Sequence, residues 1–252
     1  MSLPDVTWAL GRPTIGGAAS LASRLRVYGR DRVPLDGGVV VASNHFSWLD
    51  PAVLGAASPR VLYYMAKVEA HRVPGLGTFI RTFGCFPVRR GESDREAVRT
   101  MRRIVAEGHA LGLFVEGTRQ LSGVPGQVQP GAAMVALQED VPIVPVAIHG
   151  TQGWKPAPGG FQAVSIAWGE PMTFDGLPKG GRGYKEASAL LQGEIRRLFD
   201  WLVDVHRLGR PRDAGPPGSR PGPTRLPTRS GAPGPLPSWA SPTSGSRRWS
   251  TG

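Results

Sequence analysis

Short apolar runs and longer segments with helical spacing alternate along the chain. The apolar runs predict buried strands, at residues 39–42, 111–115, 141–148 and 163–168. The longer segments predict helices, beginning at Asp50-Pro51 and after the capping box of residues 93–96, and covering 131–140 and 184–206. Two prolines in 141–148 indicate an irregular or edge strand. The alternation predicts an α/β domain in which helices cover a sheet.

The two ends of the chain differ from this pattern. Between Ala18 and Tyr28, apolar residues recur at helical spacing among arginines, which predicts a short amphipathic helix. We therefore interpret residues 1–30 as an amphipathic segment suited to membrane contact. Residues 209–252 are rich in Pro, Gly, Ser and Arg and almost lack aliphatic residues, so we expect them to be disordered. Residues 31–208 remain as the folded domain.

Charge and composition narrow the classes of partner. The formal net charge of the 252-residue chain is +11, and residues 209–252 contribute +6 of it, from seven arginines and one aspartate. Such a balance favours anionic partners, namely a membrane surface, phosphorylated substrates or nucleic acid. The single cysteine, Cys85, excludes an internal disulfide and any metal site built from several thiolates. No apolar stretch is long enough to cross a membrane and no secretory signal is evident, so we expect a soluble or peripheral protein.

The first stretch with catalytic potential is NHFSWLD, residues 44–50, which directly follows a predicted strand. His45 could take a proton from a hydroxyl near neutral pH, and Asp50 could fix its tautomer. Ser47 is not set in a GxSxG elbow, so the attacking hydroxyl would come from the substrate. The competing interpretation is structural: His45 lies in a turn and Asp50 caps the next helix.

A second polar stretch, EGTR at residues 116–119, follows the predicted strand 111–115. Because ligands tend to bind beyond the carboxyl ends of strands in α/β sheets, we expect both stretches to face one crevice. Arg119, after a Gly-Thr turn, has the geometry to hold a phosphate, and Glu116 could bind substrate or orient Arg119. A solvent-exposed Glu-Arg pair at a strand end is the structural alternative.

Further basic residues occur near two other turns. Arg89 and Arg90 follow the stretch GCFPV, and Lys67 and Glu69 lie in MAKVEA. Each could meet an anion, and each also fits an ordinary solvated surface. The remaining histidines show no metal-ligand spacing, which weakens a metal-assisted hydrolase as an alternative function.

Four stretches, taken together and in this order, resemble the glycerolipid acyltransferase family over about residues 25 to 205. NHFSWLD resembles the family's NHx4D block, GCFPVRR its second block, FVEGTR its FPEGTR block and VPIVPVAI its apolar fourth block. The resemblance implies a mixed, mostly parallel sheet flanked by helices. Val115 and Gln120 differ from the proline and serine that the family usually has there.

The resemblance also implies roles for particular residues. His45 would be the general base, and Asp50 would orient it. The residues implied to bind substrate or shape its site are Asn44, Lys67, Arg90, Glu116, Gly117, Thr118 and Arg119.

The implied reaction transfers a fatty acyl group from a thioester of coenzyme A or acyl carrier protein to a lysophospholipid. The acceptor would be 1-acyl-glycerol-3-phosphate and the product phosphatidic acid, with no metal or redox cofactor. We expect the protein to act in the cytoplasm, peripherally on the inner face of the membrane, and not on nucleic acid. Another lysolipid or a glycolipid as acceptor, and a non-catalytic lipid-binding or membrane-binding protein, remain as alternatives.

Overall fold

The computed structural model of the chain describes residues 23–67, 71–72, 85–88, 95–152, 156–157, 160–161 and 163–218. The expectations for residues 1–22 and 219–252 therefore lie outside the described residues. The strands are β1 (Arg26–Tyr28), β2 (Val39–Ser43), β3 (Leu62–Lys67), β4 (Cys85–Val88), β5 (Ala110–Phe114), β6 (Ile143–His149), β7 (Pro156–Ala157), β8 (Gly160–Phe161) and β9 (Ser165–Trp168). The α-helices are α1 (Asp50–Ala57), α2 (Arg95–Ala106), α3 (Gly131–Glu139) and α4 (Gly181–Arg207).

Seven strands form one sheet in the order β1-β9-β6-β2-β5-β3-β4, and β7 and β8 form a separate pair. The five neighbouring strands β6, β2, β5, β3 and β4 are all parallel. Strand β9 runs antiparallel to β6, and β1 runs parallel to β9. The sheet is therefore mixed and mostly parallel, as predicted.

The alternation of side chains in β2 shows how helices cover the two faces of the sheet. Val40 and Ala42 point to the face on which α2, α3 and α4 pack, and Val39 and Val41 point to the face covered by α1. All five residues of β2 are buried because both faces of this central strand are covered. This burial explains why the strand appears in the sequence as an unbroken apolar run.

Of the two alternatives for the proline-containing strand, irregular or edge, the edge position is wrong. Strand β6 lies inside the sheet between β2 and β9, and Pro145 is aligned with Ala42 of β2. Pro145 still accepts a hydrogen bond from Gly169 N–H at 2.8 Å. Pairing with β9 begins one residue later, at Val146 opposite Trp168, so the missing N–H of the proline falls at the end of that ladder.

The predicted amphipathic helix up to Tyr28 is also wrong in its described part. Residues Arg26–Tyr28 form β1, which pairs with β9 in an edge position. Arg24, just before β1, has a positive φ of 44° and does not continue a helix. The tertiary pairing with β9 therefore overrides the local helical spacing.

Helix α4 covers the predicted helical segment and extends it to Gly181–Arg207. The helical spacing of its apolar residues predicts an inward face that includes Leu190, Leu191, Ile195 and Leu198. Leu191, Ile195 and Leu198 are buried, whereas Leu190 is 53% exposed, so the prediction is wrong for Leu190. No described helix is both long and apolar enough to cross a membrane.

The chain remains packed for ten residues beyond the predicted domain boundary at residue 208. Within residues 209–218, the carbonyl oxygens of Pro216 and Pro217 accept hydrogen bonds from Arg32 at 2.7 and 3.1 Å. The Arg210 side chain is buried and donates to the carbonyl of Val164 at 2.7 Å. Arg32 thus holds the segment by its backbone carbonyls, and Arg210 anchors it by donating to a carbonyl outside it; a Pro- and Gly-rich sequence reveals neither contact.

Candidate active site

His45 and Asp50 lie in direct contact at the carboxyl end of β2. His45 Nδ1 is 2.8 Å from Asp50 Oδ2, and the Asp50 side chain is completely buried. The same oxygen accepts the backbone N–H groups of Phe46 and Ser47, at 2.6 and 2.8 Å. An aspartate held by two backbone donors is fixed in position, and it fixes the imidazole in turn.

The predicted role of Asp50 as a helix cap is wrong. Helix α1 begins at Asp50 itself, its N-cap position is Leu49, and no side chain caps it. The Asp50 carboxylate instead accepts hydrogen bonds from the loop that precedes the helix. Pro51 at the start of α1 lacks an N–H, which reduces the number of donors that need a cap.

The imidazole of His45 is held by a stacked aromatic ring as well as by its hydrogen bond to Asp50. The ring of Phe114, the last residue of β5, stacks on it with a centroid distance of 4.2 Å and an interplanar angle of 23°. The His45 side chain is 18% exposed. Because Nδ1 is taken by the carboxylate, Nε2 is the ring nitrogen left to exchange a proton with a ligand.

Asn44 joins two neighbouring strands through its side-chain amide. It is completely buried, its Nδ2 donates to Ile148 O at 3.0 Å, and its Oδ1 accepts Ile148 N–H at 2.8 Å. These two bonds join the end of β2 to β6, one residue before His45. In the structure Asn44 therefore joins two strands, and its predicted contact with substrate stays a prediction.

Glu116 holds the backbone of two loops. It is 4% exposed, and its two carboxylate oxygens accept His45 N–H at 2.8 Å and Gly126 N–H at 2.6 Å. Burial raises the pKa of Glu116, while the hydrogen bonds from these two backbone groups act in the opposite direction. Both oxygens are occupied within the protein, so the structure does not pair Glu116 with Arg119 as the sequence suggested.

The turn after Glu116 places the other predicted residues on the surface beside His45. Gly117 has a φ of +71°, a conformation that favours glycine, and Gly117, Thr118 and Arg119 are exposed. Gln120 N–H donates to His45 O at 2.8 Å, which holds this turn against the histidine. Arg119 is therefore exposed to solvent in a turn whose next residue is bonded to the backbone of His45.

The structure locates Lys67 only by its backbone, and Arg90 lies outside the described residues. Lys67 ends β3 and is aligned with Val88, the last residue of β4. Both strands run parallel to β5, so their ends share the sheet edge that carries His45. Side-chain contacts of Lys67 and Arg90 remain predictions.

The sequence did not single out Phe114, Gly126 or Ile148 as parts of the site. Phe114 belongs to an apolar strand, and the other two contribute only backbone groups. A sequence pattern gives little sign of a backbone donor, because every residue except proline has one. Among the described residues, no three His, Cys, Asp or Glu side chains lie close enough together to hold a metal ion.

Comparison with known proteins identifies the class. Residues 24–149 match the Acyltransferase family. The chain is 33% identical over 191 residues to the 1-acyl-sn-glycerol-3-phosphate acyltransferase of Bacillus subtilis, covering 73% of this chain and 94% of the relative. It is 25% identical to the Streptococcus pneumoniae protein of the same name, over 76% of this chain and 72% of that protein.

A solved structure shares the fold. It is the 1-acyl-sn-glycerophosphate acyltransferase PlsC of Thermotoga maritima, with a TM-score of 0.65, 24% identity, and coverage of 79% of this chain and 81% of that one. The chain belongs to the Acyltransferase family, and it is an acyltransferase related to enzymes of phospholipid biosynthesis. The resemblance drawn from the four sequence blocks is confirmed.

Proposed function

We propose that this enzyme transfers a fatty acyl group from a thioester to the hydroxyl of 1-acyl-glycerol-3-phosphate, with His45 as general base and Asp50 as its orienting partner. The contact of 2.8 Å between His45 Nδ1 and Asp50 Oδ2 carries the proposal. The names of the two bacterial relatives support the choice of acceptor.

The chemistry requires one base and one fixed orientation. His45 Nε2 takes the proton from the acceptor hydroxyl as its oxygen attacks the thioester carbonyl. Asp50 stabilises the imidazolium that forms, and the tetrahedral intermediate then expels the thiolate, which receives the proton from His45. The ester bond replaces the thioester bond, so no covalent acyl-enzyme and no cofactor are needed.

Basic residues at the sheet edge are suited to the phosphate of the acceptor. Arg119 is exposed and lies one residue before Gln120, whose N–H is bonded to His45 O. Lys67 is the last residue of β3, at the same edge, and Arg90 comes two residues after the end of β4 in the sequence. A guanidinium beside the base would hold the phosphate while the hydroxyl meets His45.

The thioester donor and the location complete the proposal. The donor is coenzyme A or acyl carrier protein, and the enzyme works peripherally on the cytoplasmic face of the membrane, where its lipid acceptor resides. The net charge of +11 suits an anionic lipid surface and anionic substrates.

The direct test is a transfer assay with the full chain. Purified protein is incubated with a long-chain acyl-CoA, or with the matching acyl carrier protein thioester, and a panel of lysolipids and glycolipids. Mass spectrometry then identifies the products. We expect phosphatidic acid from 1-acyl-glycerol-3-phosphate, and kcat about 10²–10⁴-fold lower in His45→Ala.

His109→Ala provides a matched control. His109 directly precedes β5, so it lies at the opposite edge of the sheet from His45. We expect this variant to keep wild-type kcat. A folded His45→Ala protein with full activity would overturn the mechanism, and a different acylated product would overturn the acceptor.

A further inference from the structure

Large apolar side chains are exposed around the candidate active site. Seven such side chains are exposed in the described part of the chain. Three of them, Trp48, Leu121 and Val124, lie in the two loops next to His45, with exposures of 69%, 92% and 56%. We call these three residues, together with the exposed Arg119, the rim patch.

Hydrogen bonds hold both loops of the rim patch against the site. Trp48 lies three residues after His45, between Ser47 and Asp50. Ser47 N–H donates to the Asp50 carboxylate, and Asp50 N–H donates to Ser47 O. Leu121 follows Gln120, whose N–H is bonded to His45 O at 2.8 Å. The two loops that carry the exposed apolar side chains are therefore bonded to the His45 backbone and to Asp50.

The charges of the two loops favour one kind of occupant. Residues 44–49 and 117–130 contain no Asp or Glu, and their only arginine is Arg119. The two carboxylates that flank these loops, Asp50 and Glu116, are buried, at 0% and 4% exposure. The rim patch thus offers a tryptophan, two aliphatic side chains and a cation, without exposed carboxylates.

We propose that the rim patch inserts into the headgroup region of an anionic membrane and seats the active site on the lipid surface. Tryptophan is favoured at this depth, aliphatic tips gain from leaving water, and arginine is attracted to anionic headgroups. This inference rests on the proposed function, in which His45 acts on a lysolipid. With the rim patch in the membrane, a lysolipid could reach His45 directly from the lipid surface. An acidic carrier protein would instead call for a wider basic surface than the single arginine of these loops.

Vesicle partition of the full chain tests the inference. The double variant Trp48→Ser/Leu121→Ser is compared with wild type on vesicles of phosphatidylglycerol and phosphatidylcholine, and on phosphatidylcholine alone. We expect roughly 10-fold weaker partition for the double variant. Wild type should also bind the anionic vesicles more tightly than the neutral ones.

A matched control replaces equally exposed residues elsewhere. Leu35 and Leu208 are 67% and 76% exposed and lie outside the two loops, so Leu35→Ser/Leu208→Ser should change partition less than about 2-fold. Lipids brominated near the headgroup should quench wild-type tryptophan fluorescence more than that of Trp48→Phe, and thermal unfolding checks that each variant is folded.

The outcomes separate this inference from the proposed function. Equal partition of wild type and the rim-patch variant, absence of any vesicle binding, or capture only by acyl carrier protein or a second copy would overturn the inference. Vesicle binding needs no acyl transfer. Patch-dependent binding without phosphatidic acid formation would therefore overturn only the proposed function.

Discussion

Replacing Glu116 with glutamine keeps the shape of the side chain but removes one of its two acceptor oxygens. In the wild type those oxygens accept the N–H groups of His45 and Gly126, at 2.8 and 2.6 Å. The amide oxygen of glutamine accepts one of them, and its NH₂ group faces the other. One backbone donor is then left without an acceptor beside a buried side chain.

Two opposing effects set the magnitude. A buried N–H without an acceptor costs about 1–3 kcal/mol. Burial disfavours the charged form of Glu116, since it raises the pKa of this carboxyl, and glutamine avoids that cost. We therefore expect Glu116→Gln to lower the free energy of unfolding by about 1–2 kcal/mol, and Glu116→Ala, which frees both donors, by about 2–4 kcal/mol.

The assay combines urea unfolding with steady-state kinetics. A loosened His45 backbone should lower kcat, whereas the KM for the acceptor should stay near wild type because both oxygens of Glu116 are used within the protein. Glu139→Gln is the control, since Glu139 forms a partly exposed ion pair with Arg102 and such pairs contribute about 0–1 kcal/mol.

Wild-type stability of Glu116→Gln together with a raised acceptor KM would refute this reasoning. That result would mean that Glu116 acts on the substrate, as the sequence first suggested, and that its two backbone contacts contribute little.

Two further predictions concern other buried groups. Asn44→Asp replaces the amide that donates to Ile148 O with an oxygen, so urea unfolding should show a loss of about 2–4 kcal/mol, and an unchanged midpoint would contradict the clamp. Burial, with the nearby charges of His149 and Arg210, lowers the pKa of His206 from 6.5 to about 4. The unfolded chain therefore binds a proton at this histidine more readily than the folded chain does. The free energy of unfolding is unaffected by this difference above pH 6.5 and falls progressively as the pH is lowered to about 4. His206→Gln should flatten that part of a pH series of unfolding curves, and an equally steep fall would argue against it.

The sequence predicted the layout of the sheet because burial on both faces leaves a strong signal. The unbroken apolar runs around Val40 and Leu111 became the central strands β2 and β5, and polar stretches at their ends met at one edge. The prediction of an edge position from Pro145 failed because the missing N–H falls where the pairing with β9 ends. That position depends on tertiary pairing, which the local sequence does not show. Arg26–Tyr28 misled because helical spacing over a few residues is weaker than pairing with a neighbouring strand.

The sequence named several residues that lie at the candidate site, but it gave less information about the role of each one. The contact of His45 with Asp50 was one of two interpretations of their spacing and was implied by the family resemblance, and it appears in the structure. Asn44 and Glu116 were expected to meet substrate. In the structure Asn44 bonds to the backbone of Ile148, and Glu116 bonds to the backbone of His45 and Gly126. A polar side chain that hydrogen-bonds to distant backbone groups cannot be told apart, in the sequence, from one that binds a ligand.

The stacking of Phe114 on His45 has a consequence for how an acceptor alcohol can approach. With one face against the phenyl ring and Nδ1 directed to Asp50, the imidazole offers a single in-plane line of approach, through Nε2. In the proposed reaction the acceptor, 1-acyl-glycerol-3-phosphate, has a single free hydroxyl, so this restriction selects where that hydroxyl must lie rather than which hydroxyl reacts. We expect an imidazole released from Phe114 to give the same product at a lower kcat, because the hydroxyl and Nε2 would be aligned less often.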